Sequence, residues 1–475
     1  MTAPKPAAPH LAGYDPKALE DRNDIVKAFA ANHAFRAAEW AELTTEDNPY
    51  RRPVRPDDLA WLDYDRAMPA ADVLKLSGLL GHRMLRNVYD LEALYLPPAE
   101  TPAVRADQDA FYSPGNRVLS ALAKPILEHH LFAFLDGERT PLDRPTVAAV
   151  KNHVTEYVAR RGASPSKAVD AVLNTRGKRE AGTFLMLQLS AFLPAMNTAV
   201  GRAAVGEYDL VSDTLRPFLL DEYRSWVTAS AAYERLLGAA DLKTSTAAYW
   251  QLYLNSSLAR GNHLHQLAVN REDTFAFLGA LVHKKIDESL TRDRFDDAFA
   301  TFLTADTGYF TGIARLTETA PAELVDRLLT PLAARYGDRV VAEFHRGFAD
   351  AAWFADLWET DLATQVTWAD NIEEYQDKAA RIDKYLTDEN IEVDLDTFVE
   401  SCDETSTTHV HNEHRLVMIE AGQMHFWNNV THKIELNQGD KLLIPISRLH
   451  GSTVLSGECT YHQPIIPDDL LARIL

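Results

Sequence analysis

The sequence predicts a multidomain, mainly α chain that ends in a small all-β barrel. Three observations carry that expectation. From about residue 116 to 385, apolar residues recur near the 3.6-residue period of an amphipathic helix. Beyond Ile391 the pattern changes to short β segments separated by turn residues. That last stretch also holds His409-Val410-His411 and, 39 residues further on, His450, a spacing that suits strands converging on one point. With 475 residues, two to four domains are expected, with ample core.

Residues 1–115 mix helical pieces with proline-rich breaks such as Arg52-Pro53-Val54-Arg55-Pro56 and Leu96-Pro97-Pro98, and hold no recognisable catalytic cluster. Residues 116–385 are the helical region. Leu215, Phe218, Leu219, Tyr223, Trp226, Val227, Tyr233 and Leu237 define one amphipathic helix. A second runs from about Ser256 to Asp287 along Leu264, Leu267, Phe275, Leu278 and Leu281. A charged helix, Asn371 to Leu386, precedes a linker rich in Asp and Glu. Residues 386–475 then read as the barrel, with strands Leu416–Ile419, His425–Trp427, Lys433–Leu436, Lys441–Pro445, Ser452–Leu455 and Thr460–Ile465. Turns at Glu420-Ala421-Gly422, Asn428-Asn429, Asn437-Gln438-Gly439-Asp440 and Ser456-Gly457 divide them. Strands at this spacing suit a small barrel or jelly roll.

Net charge is −21, from 48 basic and 69 acidic residues, which argues against nucleic acid or an anionic membrane as the main partner. No signal peptide opens the chain, and no apolar run approaches the roughly 20 residues that span a bilayer. The two cysteines, Cys402 and Cys459, fit no zinc spacing. A reduced cytoplasmic setting and a small-molecule substrate are therefore expected.

Residues two apart on a strand share a face, so His409 and His411 aim together and His450 meets them from another strand. Three neutral imidazoles form a site for Fe, Zn, Ni or Cu. His414 and His432 fall on the opposite strand parity and are not expected as ligands. Seven of the 17 histidines lie after Ser401, an enrichment that favours metal chemistry there.

This segment resembles the cupin superfamily. Its usual first motif is Gly, five residues, His-x-His, three or four residues, Glu, six residues, Gly; its second is Gly, five residues, Pro-x-Gly-x-x-His. His409, His411 and Gly422 fit the first, and Gly439, Pro445 and His450 the second. Asp403 and Ser447 stand at two glycine positions, and Arg415 at the glutamate. A guanidinium stays protonated and does not ligate a metal, so the expected ligands are three histidines and no carboxylate. Such a site leaves about three octahedral positions open, which suits a chelating substrate with O2 at Fe(II), as in three-histidine cupin oxygenases. Arg415 shares the parity of His409 and His411, and either clamps a substrate carboxylate or forms a salt bridge at the surface or barrel mouth. Tyr461, on the last strand, either turns its hydroxyl to the pocket or packs in the core.

In the helical region, Leu219-Leu220-Asp221-Glu222-Tyr223, Gly261-Asn262-His263-Leu264-His265, Gly279-Ala280-Leu281 and Gly308-Tyr309-Phe310 resemble the heme-oxygenase-like diiron oxidases. Two irons need carboxylates and histidines at i, i+3 and i+4 spacing on facing helices. Along that pattern only Glu222 is kept. Ala232 and Tyr233 stand where a histidine is expected, Gln188 and Leu189 at the early glutamate, and His283-Lys284-Lys285 near a later carboxylate. Ile313, Thr317 and Ala320 replace a His-x3-Asp-x2-His run. His263 and His265, two apart on a helix, diverge. The comparison implies a diiron scaffold that has lost its metals.

An N-terminal region (1–115), a heme-oxygenase-like helical domain (116–385) and a C-terminal cupin (386–475), in that order, resemble the N-nitrosourea-forming enzymes of streptozotocin-type biosynthesis. In that family the helical domain uses two irons to hydroxylate guanidine nitrogens of a methylated arginine. The three-histidine iron of the cupin then rearranges the product and makes an N–N bond, and the N-terminal region mediates dimerisation. The resemblance implies His409, His411 and His450 as ligands of one Fe(II) per chain, O2 as cosubstrate, and a homodimer. Without diiron ligands, the expectation is a nonheme Fe(II) cupin oxygenase that forms an N–N bond from an already N-hydroxylated, amino-acid-derived guanidine, with Arg415 orienting a carboxylate. Another three-histidine cupin dioxygenase or isomerase stays open as an alternative. So does a non-catalytic ligand-binding or scaffold partner of an active paralogue.

Overall fold

The structure, a computed structural model, describes residues 21–32, 34, 63–93, 95–96, 101–164, 166–206, 208, 213–244, 246–303, 320–427 and 433–475. Arg52–Pro56, Pro97-Pro98, Gly308–Phe310, Ile313, Thr317, Asn428-Asn429 and His432 lie outside the described residues. The chain is mainly helical and closes with a curled β domain, the predicted fold class. The described helices are α1 (Arg22–Ala30), α2 (Leu76–Asp90), α3 (Pro102–Phe111), α4 (Pro114–Phe132), α5 (Leu135–Glu138), α6 (Val147–Ala163), α7 (Lys167–Asn174) and α8 (Lys178–Ser190). They continue with α9 (Leu193–Ala204), α10 (Leu215–Ala239), α11 (Asn255–Val269), α12 (Thr274–Ala300), α13 (Pro321–Tyr336), α14 (Asp338–Asp370), α15 (Ile372–Asp388) and α16 (Asp468–Ile474).

Helix α10 starts at the expected residue and buries Phe218, Leu219, Trp226, Tyr233 and Leu237; Val227, included in its apolar stripe, faces solvent. The helix expected over Ser256–Asp287 is broken. Asn270 is extended (φ −91°, ψ 116°) between α11 and a short 3-10 turn at Arg271–Asp273. Its side chain is held by Lys124 (3.0 Å) and Glu128 (3.3 Å) of α4, contacts that helical periodicity does not reveal. Helices α12 and α14 cross at two glycines. A Cβ on Gly279 would stand 1.9 Å from Phe344 O, and one on Gly347 1.8 Å from Ala276 O, so only glycine lets these backbones approach.

The segment Pro114–Glu138 corrects the reading that no stretch approaches membrane-spanning length and apolarity; its length and mean hydropathy (1.2) suffice. Leu119, Ala123, Leu127 and Leu131 nevertheless bury in one cluster with α1 and α2, and Lys124 and Glu128 pair on its flank, as in a core helix. The 115/116 boundary falls at the start of this helix, and the same cluster takes in Ala259 of α11 and Phe354 of α14.

The six strands expected from Leu416 to Ile465 are found, the last of them split into two (Glu458–His462 and Ile465–Ile466), and one more strand precedes them. The β domain comprises β1 (Thr397–Ser401), β2 (His414–Ala421), β3 (Gln423–Trp427), β4 (Lys433–Asn437), β5 (Lys441–Ile444), β6 (Gly451–Val454), β7 (Glu458–His462) and β8 (Ile465–Ile466). One antiparallel sheet runs β1-β7-β2-β5, with β8 also on β2; the other runs β4-β3-β6. Alternation on β2 sorts its side chains. Val417 and Ile419 join Phe426, Leu436 and Ile444 in the core between the sheets, while Leu416 and Met418 meet Ala379 and Ile382 of α15 outside. The far end of α14 delivers Trp368 into the inner core.

Candidate metal centre

His409 and His411 lie on the segment between β1 and β2, and His450 on the connection from β5 to β6. The expected strand through His409 and His411 is reduced to a single antiparallel bridge. His409 N–H donates to His450 O at 2.9 Å, and His450 N–H donates to His409 O at 3.1 Å. Ser447 N–H donates to His411 O at 3.0 Å, tying in the third residue. The rings stand 4.5–5.0 Å apart between centroids, and one nitrogen from each lies within 4.8 Å of the others. Among the described residues no other group of three His, Cys, Asp or Glu side chains converges in this way.

Hydrogen bonds select the ring tautomers. His409 Nδ1 lies 2.9 Å from Thr407 O, and His450 Nδ1 2.9 Å from Arg448 O. A carbonyl only accepts, so each Nδ1 carries the proton and each Nε2 presents its lone pair. Burial, and then the His409 ring, push His450 down to about 3, with the Arg448 carbonyl acting the other way. Burial first, then the charges of His409, His450 and Arg415, hold His411 well below the usual histidine range. Both are neutral at physiological pH, the form that ligates metals. The buried Nε2 atoms of His411 and His450 find no hydrogen-bond partner among the described residues. An unmet buried polar atom costs about 1–3 kcal/mol, and one metal ion between the three rings would satisfy the converging lone pairs together. The donor set fits a divalent transition metal such as Fe(II).

Four motif positions share an unusual backbone. Asp403 (φ 65°), Gly422 (φ 85°), Gly439 (φ 89°) and Ser447 (φ 62°) are all left-handed. The two positions where glycine is replaced thus keep the conformation that favours glycine. Ser447→Gly is expected to be tolerated and to stabilise by about 0.5 kcal/mol, and Ser447→Val to cost about 1–2 kcal/mol, as read from denaturation midpoints.

The two other site candidates, Arg415 and Tyr461, both have partners within the β domain. Arg415 keeps the inward parity of β2, and its Nη1 donates to Asp396 Oδ2 (2.8 Å) and Gln463 O (3.0 Å), forming a salt bridge at the barrel mouth. Tyr461 packs its ring in the barrel core and donates its hydroxyl to Glu400 at 2.8 Å. Both partners arrive with β1, the strand missing from the sequence expectation. His414 faces outward as expected, its Nδ1 accepting from Ile446 N–H and its Nε2 lying 3.3 Å from Asp468. Phe426 (5.6 Å) and Trp368 (6.5 Å) stand against the His450 ring, and neither was anticipated. Trp368 sits 82 residues before His450 on a helix, where no local signal points to a barrel.

In the helical domain the residues at the expected diiron positions are otherwise engaged. Lys285 Nζ donates to the buried Glu222 carboxylate, and Lys284 to Glu288. Gln188 bonds Leu252 O, Leu254 N–H and the Ser257 hydroxyl. Tyr233 donates its hydroxyl to Met186 O. His263 and His265 diverge as expected, one toward Phe354 and the other stacked on Tyr89. Two adjoining cavities there, of about 40 and 20 Å³, have room for ordered water and are too small for an organic substrate.

No family model matches the chain. It is 28% identical to the nitrosourea synthase of Streptomyces achromogenes subsp. streptozoticus over 464 residues, 95% of this chain and 96% of that enzyme. The two proteins are related. The alignment runs through the helical and β parts together and includes the histidine-bearing segment.

Proposed function

We propose that this chain is a nonheme Fe(II) oxygenase of natural-product biosynthesis that forms an N–N bond from an already N-hydroxylated, amino-acid-derived guanidine. The carrying observation is the trio His409, His411 and His450, with ring nitrogens converging within 4.8 Å and two tautomers fixed by backbone carbonyls. The relationship to nitrosourea synthase along nearly the whole chain supports the reaction class. Fe(II) held there would supply redox chemistry with O2 and a chelation point for the substrate. The chain's own part is to present three neutral donors and to wall the site with Phe426 and Trp368. The pairing of Lys285 with Glu222 supports a helical domain that holds no irons, because an ammonium already neutralises the carboxylate.

The test is anaerobic loading with Fe(II), followed by O2 and either N-hydroxylated or unhydroxylated arginine derivatives. N-nitroso product from the hydroxylated substrate alone is the expected result. Product from the unhydroxylated compound would show that the helical domain still hydroxylates. Consumption of neither removes the N–N bond reading.

A further inference from the structure

We infer that the helical domain positions the histidine site. Asp361, Gln365 and Trp368 of α14, together with Arg83 of α2 and Gln251, hold the two segments that carry His409, His411 and His450. The inference rests on the reading of those histidines as metal ligands.

Residues 361, 365 and 368 stand at i, i+4 and i+7, one face of a helix. They meet three consecutive residues of the connection from β5 to β6. Asp361 pairs with Arg448, Oδ1 to Nη2 at 3.3 Å, and its carbonyl accepts from Arg448 Nη1 at 3.3 Å, with both side chains buried. Gln365 grips both polar groups of Leu449: Nε2 donates to its carbonyl at 2.7 Å, and Oε1 accepts its N–H at 2.9 Å. Trp368 meets the His450 ring itself. The carbonyl that sets the His450 tautomer belongs to Arg448, so Asp361 and Gln365 bracket the peptide that aims this ligand.

The other segment is held from α2. Leu76 N–H, at the helix start, donates to Asn412 Oδ1 at 3.0 Å, next to His411. Two turns along, Arg83 donates from Nη1 to Thr408 O (2.8 Å) and from Nη2 to Thr408 Oγ1 (2.9 Å), next to His409. Thr408 N–H donates to Gln251 Oε1 at 2.8 Å, and the Thr408 hydroxyl to Gln251 O. Val410 and Leu449 bury in the helical core, not in the barrel. Side chains therefore alternate, with histidines facing one another and their neighbours facing the helices. The barrel has its own apolar core, so these bonds are not what closes it. They set ligand placement, and outer groups that orient metal ligands typically contribute 10–100-fold to affinity.

The experiment is a titration of the full-length apo chain with Co(II) under anaerobic conditions, comparing wild type with Gln365→Leu, which removes both bonds to Leu449, and Thr408→Val, which removes the hydroxyl bonds to Arg83 and Gln251 and leaves the backbone ones. Val325→Ala, a core truncation in α13, controls for lost stability alone. The clamp variants are expected to bind Co(II) about 10–100-fold more weakly with altered ligand-field absorption, and the control with unchanged affinity. Coupling is reciprocal, so Co(II) should also slow amide exchange in α2 and in residues 246–252 of the wild type. Wild-type affinity and spectrum in both variants would overturn the inference. So would absent protection, and that second measurement decides if a variant does not fold. A wild type that takes up no Co(II) removes instead the reading of the histidines as ligands.

Discussion

Replacing His450 by alanine is expected to lower iron content from about one ion per chain to none, after anaerobic loading and removal of free metal. Two imidazoles cannot hold a divalent ion against wash-out as three do, and among the described residues no carboxylate completes the set. The fold should survive, because the barrel core of Val417, Ile419, Phe426 and Ile444 forms without the ring. Losing a buried ring costs packing against Phe426 and Trp368, about 2–3 kcal/mol, visible as a lower melting point with unchanged helical circular dichroism. His414→Ala is the matched control and should keep its iron, since that ring faces Asp468. Iron retained in His450→Ala, or three ions per wild-type chain, would place ligands in the helical domain and contradict the proposal that it holds no irons.

Stability is expected to fall steeply between pH 6.5 and about 5. His82, His263 and His283 are each pushed down to about 3, in every case mainly by burial. In the unfolded chain they titrate near 6.5, so below that pH the unfolded state binds more protons and folding stability declines as pH falls. Each contributes about 2 kcal/mol of loss at pH 5, on the order of 6 kcal/mol for the three, against a typical total of 5–15 kcal/mol. Asp350 acts in the opposite direction. Burial raises its carboxyl to about 6 against the pull of Arg139, so its stabilising contribution grows as pH falls. It lies 3.9 Å from His263 and offsets only part of the decline. Urea midpoints measured from pH 7.5 to 5 should give a slope of two or more protons taken up on unfolding. A flat profile over that range would falsify this account.

The β domain was legible because its signals are local. Turn residues mark strand ends, and a two-residue histidine spacing marks a shared face. What stayed hidden depends on residues far along the chain. β1 hides in an acidic stretch between Asp394 and Glu404, and with it went Asp396 and Glu400, the residues that engage Arg415 and Tyr461. The break at Asn270 is set by Lys124 and Glu128 of another helix. The three histidines could be read as a group from spacing, but the helices that grip Thr408 and Leu449 could not, since Arg83 and Gln365 are separated from their partners by 325 and 84 residues.

Helix α14 runs 33 residues, about 50 Å at 1.5 Å per residue. Its angular phase is set twice. The glycine crossing at Gly347 locks it to α12, and the ladder of Asp361, Gln365 and Trp368 locks it to the histidine site. Each added residue turns everything beyond it by about 100°. A single-residue insertion between Gly347 and Asp361 would leave both ends chemically intact yet swing Gln365 away from Leu449, whereas an insertion of seven residues would restore the heading. The stretch between them is thus a drive shaft whose length is quantised, open to substitution on its exposed face and closed to small insertions and deletions.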